Sequence, residues 1–479
     1  MKRSRILFNM AANVHPADEL NKIANKLGCD VTDLEFANYM DEHDELRHLR
    51  NDFFYPKMKD LSRTDESLVD PEEDCMYFCS YSVGLCPKTT EQYVKVELAK
   101  WSKQAVEGYF EGDLPWALCD ERLDQKLANI VGGKKGEVAI MNALTVNLHL
   151  LLISFYQPTE SRYKIMCEGK AFPSDHYTFQ SQIRLHGFDP DTSLLCLEPR
   201  EGEVTLRTED ILKKIDEEGD SIAVICLPGV QFYTGQFFDV PTITKAGQAK
   251  GCYVGWDLAH AVGNVPLALH DWGVDFACWC SNKYLCASAG GVAGAFLHEK
   301  HSLNDFPKLL GWWGHHVDTR FNMDNKMDLS PGIYGYRISS PASLLSPPLK
   351  ASLEIFNKTT MEDLRKKSKL LTGYLELLIN TKYKRPTDTS KSAQDEAYID
   401  VLSPVDPEQR GAQLSLKFSV DIHVVCEELV KRGAVCDVRL SHAIRVAPAP
   451  LYCSFQDVHR FMKCLDKSIA VAIAQKSVS

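Results

Sequence analysis

Long apolar runs are what this chain most plainly lacks. The longest, residues 144–156, is interrupted by Asn147 and His149 and falls short of what a bilayer-spanning helix needs. Excess positive charge is missing too. The 54 Lys and Arg stand against 65 Asp and Glu, a formal net charge of -11, which argues against a nucleic-acid-binding surface. No secretory signal is read at the start, because residues 6–12 are short and run straight into polar sequence. Among the 16 cysteines there is no CxxC paired with a second CxxC. Cys75/Cys79 and Cys278/Cys280 come nearest to metal-ligand spacing, and neither has a companion pair. These thiols are therefore expected to be reduced and buried, with no metal bound. No internal repeat is present. The expectation is a cytoplasmic protein of enzyme size, with no membrane or nucleic-acid partner.

What is present is an ordinary globular composition, 44% hydrophobic and 25% charged, over 479 residues. That length suits one large domain plus a smaller one. Leu20, Ile23, Ala24 and Leu27 fall on one helical face, with Pro16 near the start and Gly28 just after the end. A second helix is predicted over residues 33–52. From 76 to 341, apolar strands alternate with helices: strands at 138–141, 163–167 and 222–227, helices at 146–155, 174–185 and 241–250. Continuous apolar strands separated by helices predict an α/β fold, a mostly parallel sheet covered on both faces, with ligands at the carboxyl ends of its strands. Beyond 341 the pattern predicts one long helix over 342–379, a polar surface loop at 382–396 and an alternating strand at Leu414, Leu416, Phe418 and Val420. A helix at 422–432, a strand at 443–447 and a last helix capped by Ser454 complete a small α+β domain. The expected organisation is an N-terminal helical segment, 1–75, packed on the body, a large domain, 76–341, and a small C-terminal domain, 342–479.

Within the large domain Lys283 stands out. It follows Cys280-Ser281-Asn282 and sits between two short apolar strands, 274–280 and 292–297. A strongly hydrated ammonium is rarely placed there, and burial favours its neutral, nucleophilic form. Asp257 ends another apolar strand, 251–257, and Ala259-His260 follow. An acid at one strand end and a lysine at the end of the next is a common plan for a pyridoxal phosphate site, the lysine carrying the cofactor and the acid holding the pyridinium proton.

Lys283, Asp257-Leu-Ala-His260, Asn142-Ala-Leu-Thr145, Phe172-Pro-Ser-Asp175 and Ile444-Arg-Val-Ala-Pro448 together resemble the kynureninase family. So do Tyr233-Thr-Gly235, Met323-Asp-Asn325 and the stretch from His270 to Cys280, in family order over nearly the whole chain. The resemblance implies a pyridoxal-phosphate enzyme of fold type I with a seven-stranded sheet, acting as a homodimer. The implied reaction is hydrolysis of the Cβ–Cγ bond of L-kynurenine or L-3-hydroxykynurenine to anthranilate or 3-hydroxyanthranilate and L-alanine, a step of tryptophan catabolism leading toward NAD. It also implies roles. Lys283 carries the cofactor and shuttles protons, and Asp257 pairs with the ring nitrogen. His260 orients the acid or the ring oxygen. Leu144 and Thr145 hold the phosphate at a helix start, Phe172 stacks on the ring, Asp175 bonds near it, and Trp312 helps close the site. Arg445 grips the substrate carboxylate.

Several positions depart from the family pattern. Asn282 stands where the family has tyrosine, Pro228 where it has serine, and Ser288 where it has glycine. Tyr109 replaces a histidine and Ser340 an asparagine, both thought to read the substrate ring. Ser80-Tyr81-Ser82 replaces Gly-Asn-Ser. An amide at 282 can bond a phosphate but cannot deliver a proton, so Tyr81 or Tyr109 is a candidate for the missing phenol.

Overall fold

The computed structural model describes residues 14–386, 397–439 and 442–476. The chain divides into two compact units. One takes the described residues of Pro87–Phe232 and Phe237–Asn357. The other takes those of Met1–Cys86, Tyr233–Gln236 and Lys358–Ser479.

In the first unit a seven-stranded sheet runs in the order Val138–Ile140, Gly294–Leu297, Phe276–Trp279, Tyr253–Asp257, Ile222–Pro228, Lys164–Glu168 and Leu194–Leu197. The last five pair in parallel, whereas Gly294–Leu297 is antiparallel to both of its neighbours. The sheet is thus mostly parallel, as the continuous apolar strands predict. Its core gathers Leu148, Leu151, Phe155, Ile165, Phe179, Val224 and Phe276, all buried, with Phe155 stacked on Phe276 at 4.6 Å. Gly255 has no side chain for a physical reason: a Cβ there would lie 2.1 Å from the Phe276 ring. The polar interruption of the apolar helix Leu144–Phe155 also has a job. Buried Asn147 donates to Met141 O and accepts from Asn142 Nδ2, tying the helix start to the preceding strand end.

The second unit carries the four-stranded antiparallel sheet Asp437–Arg439, Ala443–Val446, Leu414–Phe418 and Ile399–Val401. Here the helices Pro16–Leu27 and Leu34–His43 lie against Met361–Lys382 and Phe455–Lys476. Tyr374 packs on Phe36 at 5.5 Å and donates to Val31 O, and Asp41 accepts from the amides of Phe455 and Gln456. Ser454 caps the last helix as expected, accepting from Asp457 N while Asp457 accepts from Ser454 N.

Two helices differ from expectation. The single helix over 342–379 is instead Ser346–Phe356 and Met361–Lys382, because Thr360 breaks the run and caps a new start through Asp363 N. The helix at 33–52 stops at His43 and resumes as a 3-10 turn, Arg47–Asp52. Of the polar loop 382–396, residues 387–396 lie outside the described residues.

Candidate active site

Strand ends build the site. In register, Asp257 lies between Pro228 and Cys278, so the carboxyl ends of three neighbouring parallel strands come together. Lys283 follows the third of these, and Glu168 ends the next strand outward. The result is a cavity of about 230 Å³ within the first unit. Its lining includes Leu144, Thr145, Phe172, Asp175, Asp257, His260, Asn282 and Lys283, eight of the residues expected at a cofactor.

Each wall does something different. Lys283 is half-buried, with Nζ 5.9 Å from the centre of the Phe172 ring, which meets Phe232 edge-on at 5.2 Å. Asp257 is buried, and its Oδ1 accepts from Ala259 N at 2.8 Å. Asp175 is buried beside it. Burial and the neighbouring Asp257 carboxylate push the Asp175 carboxyl well above the usual range. The helix Leu144–Phe155 starts at the cavity from Ala143, with no side chain capping its first amides. An uncapped helix start attracts an anion.

These features fit pyridoxal phosphate. The helix start suits the phosphate, the Phe172 face suits the ring, the buried carboxyl pair suits a pyridinium, and the amine of Lys283 suits an aldehyde.

Trp312, Tyr109 and Ser340 are not among the side chains lining this cavity. Trp312 is 47% exposed, donates to Arg320 O and meets Phe321 edge-on at 5.7 Å. Tyr109 lines a second cavity with Trp101 and Trp116, and Ser340 is exposed. Arg445 and Tyr81 belong to the other unit. There Arg445 forms a two-pronged pair with Asp437, at 3.0 and 2.7 Å, and lies over the Tyr81 ring at 3.9 Å. The Tyr81 hydroxyl donates to Arg445 O and accepts from Asp437 N. Ser288, where the resemblance leads one to expect glycine, adopts φ +71, and Cys286 nearby adopts φ +55. Each costs on the order of 1 kcal/mol.

Glu168 was not singled out in the sequence, although it carries the same signal as Asp257, an acid ending an apolar strand. It is buried and accepts from Gln231 Nε2 at 3.5 Å. Burial, reinforced by the Asp257 and Glu198 charges, pushes its carboxyl up to about 8. A carboxyl raised on folding stabilises below its unfolded pKa and loses that contribution as pH rises. The cofactor-free protein should therefore lose on the order of 4 kcal/mol between pH 5 and 8 through this group. Denaturant unfolding across that range should show the slope, and Glu168→Gln should flatten it. An unchanged slope in the variant would assign the effect elsewhere.

Glu137, His270 and His298 bring possible metal-ligand atoms within 4.8 Å of one another. Most of their polar atoms already have partners. His270 Nδ1 pairs with Glu137, His298 Nε2 with His270 O, and His298 Nδ1 accepts from Lys300 N. Glu137 also accepts from the amides of Lys134 and Glu299. These bonds fasten strand ends.

The fold is that of the type I pyridoxal-phosphate enzymes. A model described as Aminotransferase class-V matches residues 197–407. Among solved structures, an apo cysteine desulfurase from Thermococcus onnurineus NA1 superimposes with a TM-score of 0.66 at 14% identity, covering 82% of this chain and 94% of that one. A C-DES mutant with glycine covalently linked to the PLP-cofactor gives 0.66 at 14%, covering 84% and 99%. Relatives of similar length narrow the class. A model described as Kynureninase C-terminal domain matches residues 364–465. Kynureninase from Homo sapiens is 55% identical over 94% of this chain and 96% of its own length. The Nematostella vectensis kynureninase is 51% identical (94% and 97%), and that of Koribacter versatilis 45% (89% and 96%). The chain belongs to the kynureninase family.

Proposed function

We infer that this chain hydrolyses the Cβ–Cγ bond of L-kynurenine and L-3-hydroxykynurenine, releasing anthranilate or 3-hydroxyanthranilate and L-alanine. The observation that carries the reading is the placing of Lys283, Asp257 and an uncapped helix start around one cavity, in a chain with kynureninase relatives along nearly its full length. Water is divided across the broken bond: the γ-acyl carbon takes the hydroxyl and becomes the aromatic carboxylate, and Cβ takes a proton and becomes the methyl of alanine.

Bound pyridoxal phosphate would supply an electron sink for the pair left when the α-proton is removed. The chain's own groups do the rest. The amides at Leu144 and Thr145 hold the phosphate, with the Asn282 amide beside them. Phe172 fixes the ring plane, and His260 and Asp175 orient the Asp257 carboxylate that keeps a proton on the ring nitrogen. Lys283 Nζ takes the α-proton and returns it. Arg445 receives the substrate carboxylate, exchanging its Asp437 partner for a second two-pronged one. Tyr109, Ser340 and Tyr81 are assigned to the substrate side, and Trp312 to closing the site.

A homodimer in the cytoplasm completes the proposal. Leu303, Leu310, Phe110, Phe321 and Trp312 are large exposed apolar side chains, with Phe321 touching both Phe110 and Trp312, and such a patch suits an interface. All 16 cysteines are free thiols, in keeping with a reducing compartment. Sedimentation velocity should give twice the chain mass; a monomer at micromolar concentration would contradict the dimer.

The substrate assignment is tested with a panel of aroyl-alanines with and without the ring hydroxyl. Kynurenine and 3-hydroxykynurenine should be the best substrates. Preference for an unrelated β-substituted amino acid would redirect it.

A further inference from the structure

Two thiols face each other across neighbouring strands of the large sheet. Cys167 on Lys164–Glu168 and Cys196 on Leu194–Leu197 are direct partners in parallel register, with sulfurs 3.8 Å apart. Neighbouring strands lie about 4.8 Å apart, inside the roughly 4.4–6.8 Å between Cα atoms that disulfides span. Register partners also project their side chains from the same face.

The two thiols are unequal. Cys167 is in the core, whereas Cys196 is half-buried on the strand that ends the sheet. The hydrogen bond shared with Cys167 draws the Cys196 thiol down to about 7. The same bond, with burial, holds Cys167 well above the ordinary thiol value. One sulfur is thus partly exposed, with a buried thiol at contact distance behind it. That is how an attacking and a resolving cysteine are arranged.

We propose that Cys167 and Cys196 form a peroxide-reactive dithiol, a modification site that closes to a disulfide. The Cys196 thiolate attacks one oxygen of hydrogen peroxide. The O–O bond breaks, hydroxide leaves and is protonated to water, and the sulfur becomes a sulfenic acid. The Cys167 sulfur then attacks the Cys196 sulfur. An S–S bond forms, the S–O bond breaks, and the departing hydroxide takes the Cys167 proton as a second water. Two thiols are oxidised and one peroxide is reduced. Cys167 directly precedes Glu168, so closure acts on the strand that delivers this carboxyl to the cavity.

The test uses the full chain loaded with pyridoxal phosphate. It is treated with hydrogen peroxide, alkylated, digested and mapped by mass spectrometry. The expected product is a peptide carrying Cys167 joined to one carrying Cys196, formed ahead of other pairs and released by dithiothreitol. In Cys167→Ser, dimedone should trap a sulfenic acid at Cys196; if that variant fails to fold, the map of the unaltered chain decides alone. Recovery of both cysteines as alkylated thiols while others oxidise would overturn the proposal. The pair to watch is Cys426 and Cys436, which also hydrogen-bond to each other.

Discussion

Lys283→Ala should lower alanine release from L-3-hydroxykynurenine by roughly 10⁴-fold, the upper range for loss of a positioned proton-transfer group, to which loss of the cofactor's attachment point adds. The fold should survive. The segment around Lys283 is held by bonds its side chain does not make: Ala287 N donates to Ser281 O, Cys286 N to Lys283 O, and the Ser281 hydroxyl to Val292 O. Lys283→Arg separates charge from nucleophilicity. It keeps a cation in the cavity yet offers no amine that can lose its proton near neutral pH, so it should be as inactive as alanine. Retention of more than a few per cent of turnover in either variant, with an unchanged thermal midpoint, would contradict the role of Lys283.

The second large effect is expected at Arg445. Lysine there keeps the charge but loses the planar fork that now meets both Asp437 oxygens. Losing one charge-assisted hydrogen bond to the substrate carboxylate is worth about 3 kcal/mol, on the order of 10²-fold in kcat/KM. The loss should fall mainly on KM, because the carboxylate is gripped before and during the reaction alike. A fall in kcat alone, with KM unchanged, would show that Arg445 acts by another route. Arg445→Ala is less informative, since it leaves Asp437 without this partner and mixes folding with binding.

Much of this site could be read from residue order alone. Asp257 and Lys283 stand out because an acid and a lysine beside apolar strands violate the usual rule for buried sequence, and such violations gather where function is. Leu144 and Thr145 were legible as the opening of an apolar helix. Glu168 obeys the same rule as Asp257 but sits in no motif of its own, so only the strand register brings it to the cavity. The edge strand Leu194–Leu197 has only four residues directly after a one-turn helix, so neither period had length to register. The break at Thr360 was hidden because the apolar spacing resumes on its far side, and only the cap to Asp363 shows that a new helix begins. The pairing of Asp175 with Asp257 joins residues 82 positions apart, which no local pattern contains.

Of these departures, Asn282 and Pro228 line the cavity, and Ser288 has a positive φ, a conformation that glycine favours. Whether the chemistry survives them is decided by products. The most direct measurement is the yield of alanine and 3-hydroxyanthranilate from L-3-hydroxykynurenine with the pyridoxal-phosphate-loaded chain. Equimolar release that depends on Lys283 is the predicted result. Loaded protein that releases neither, or alanine without the aromatic acid, would contradict the assignment.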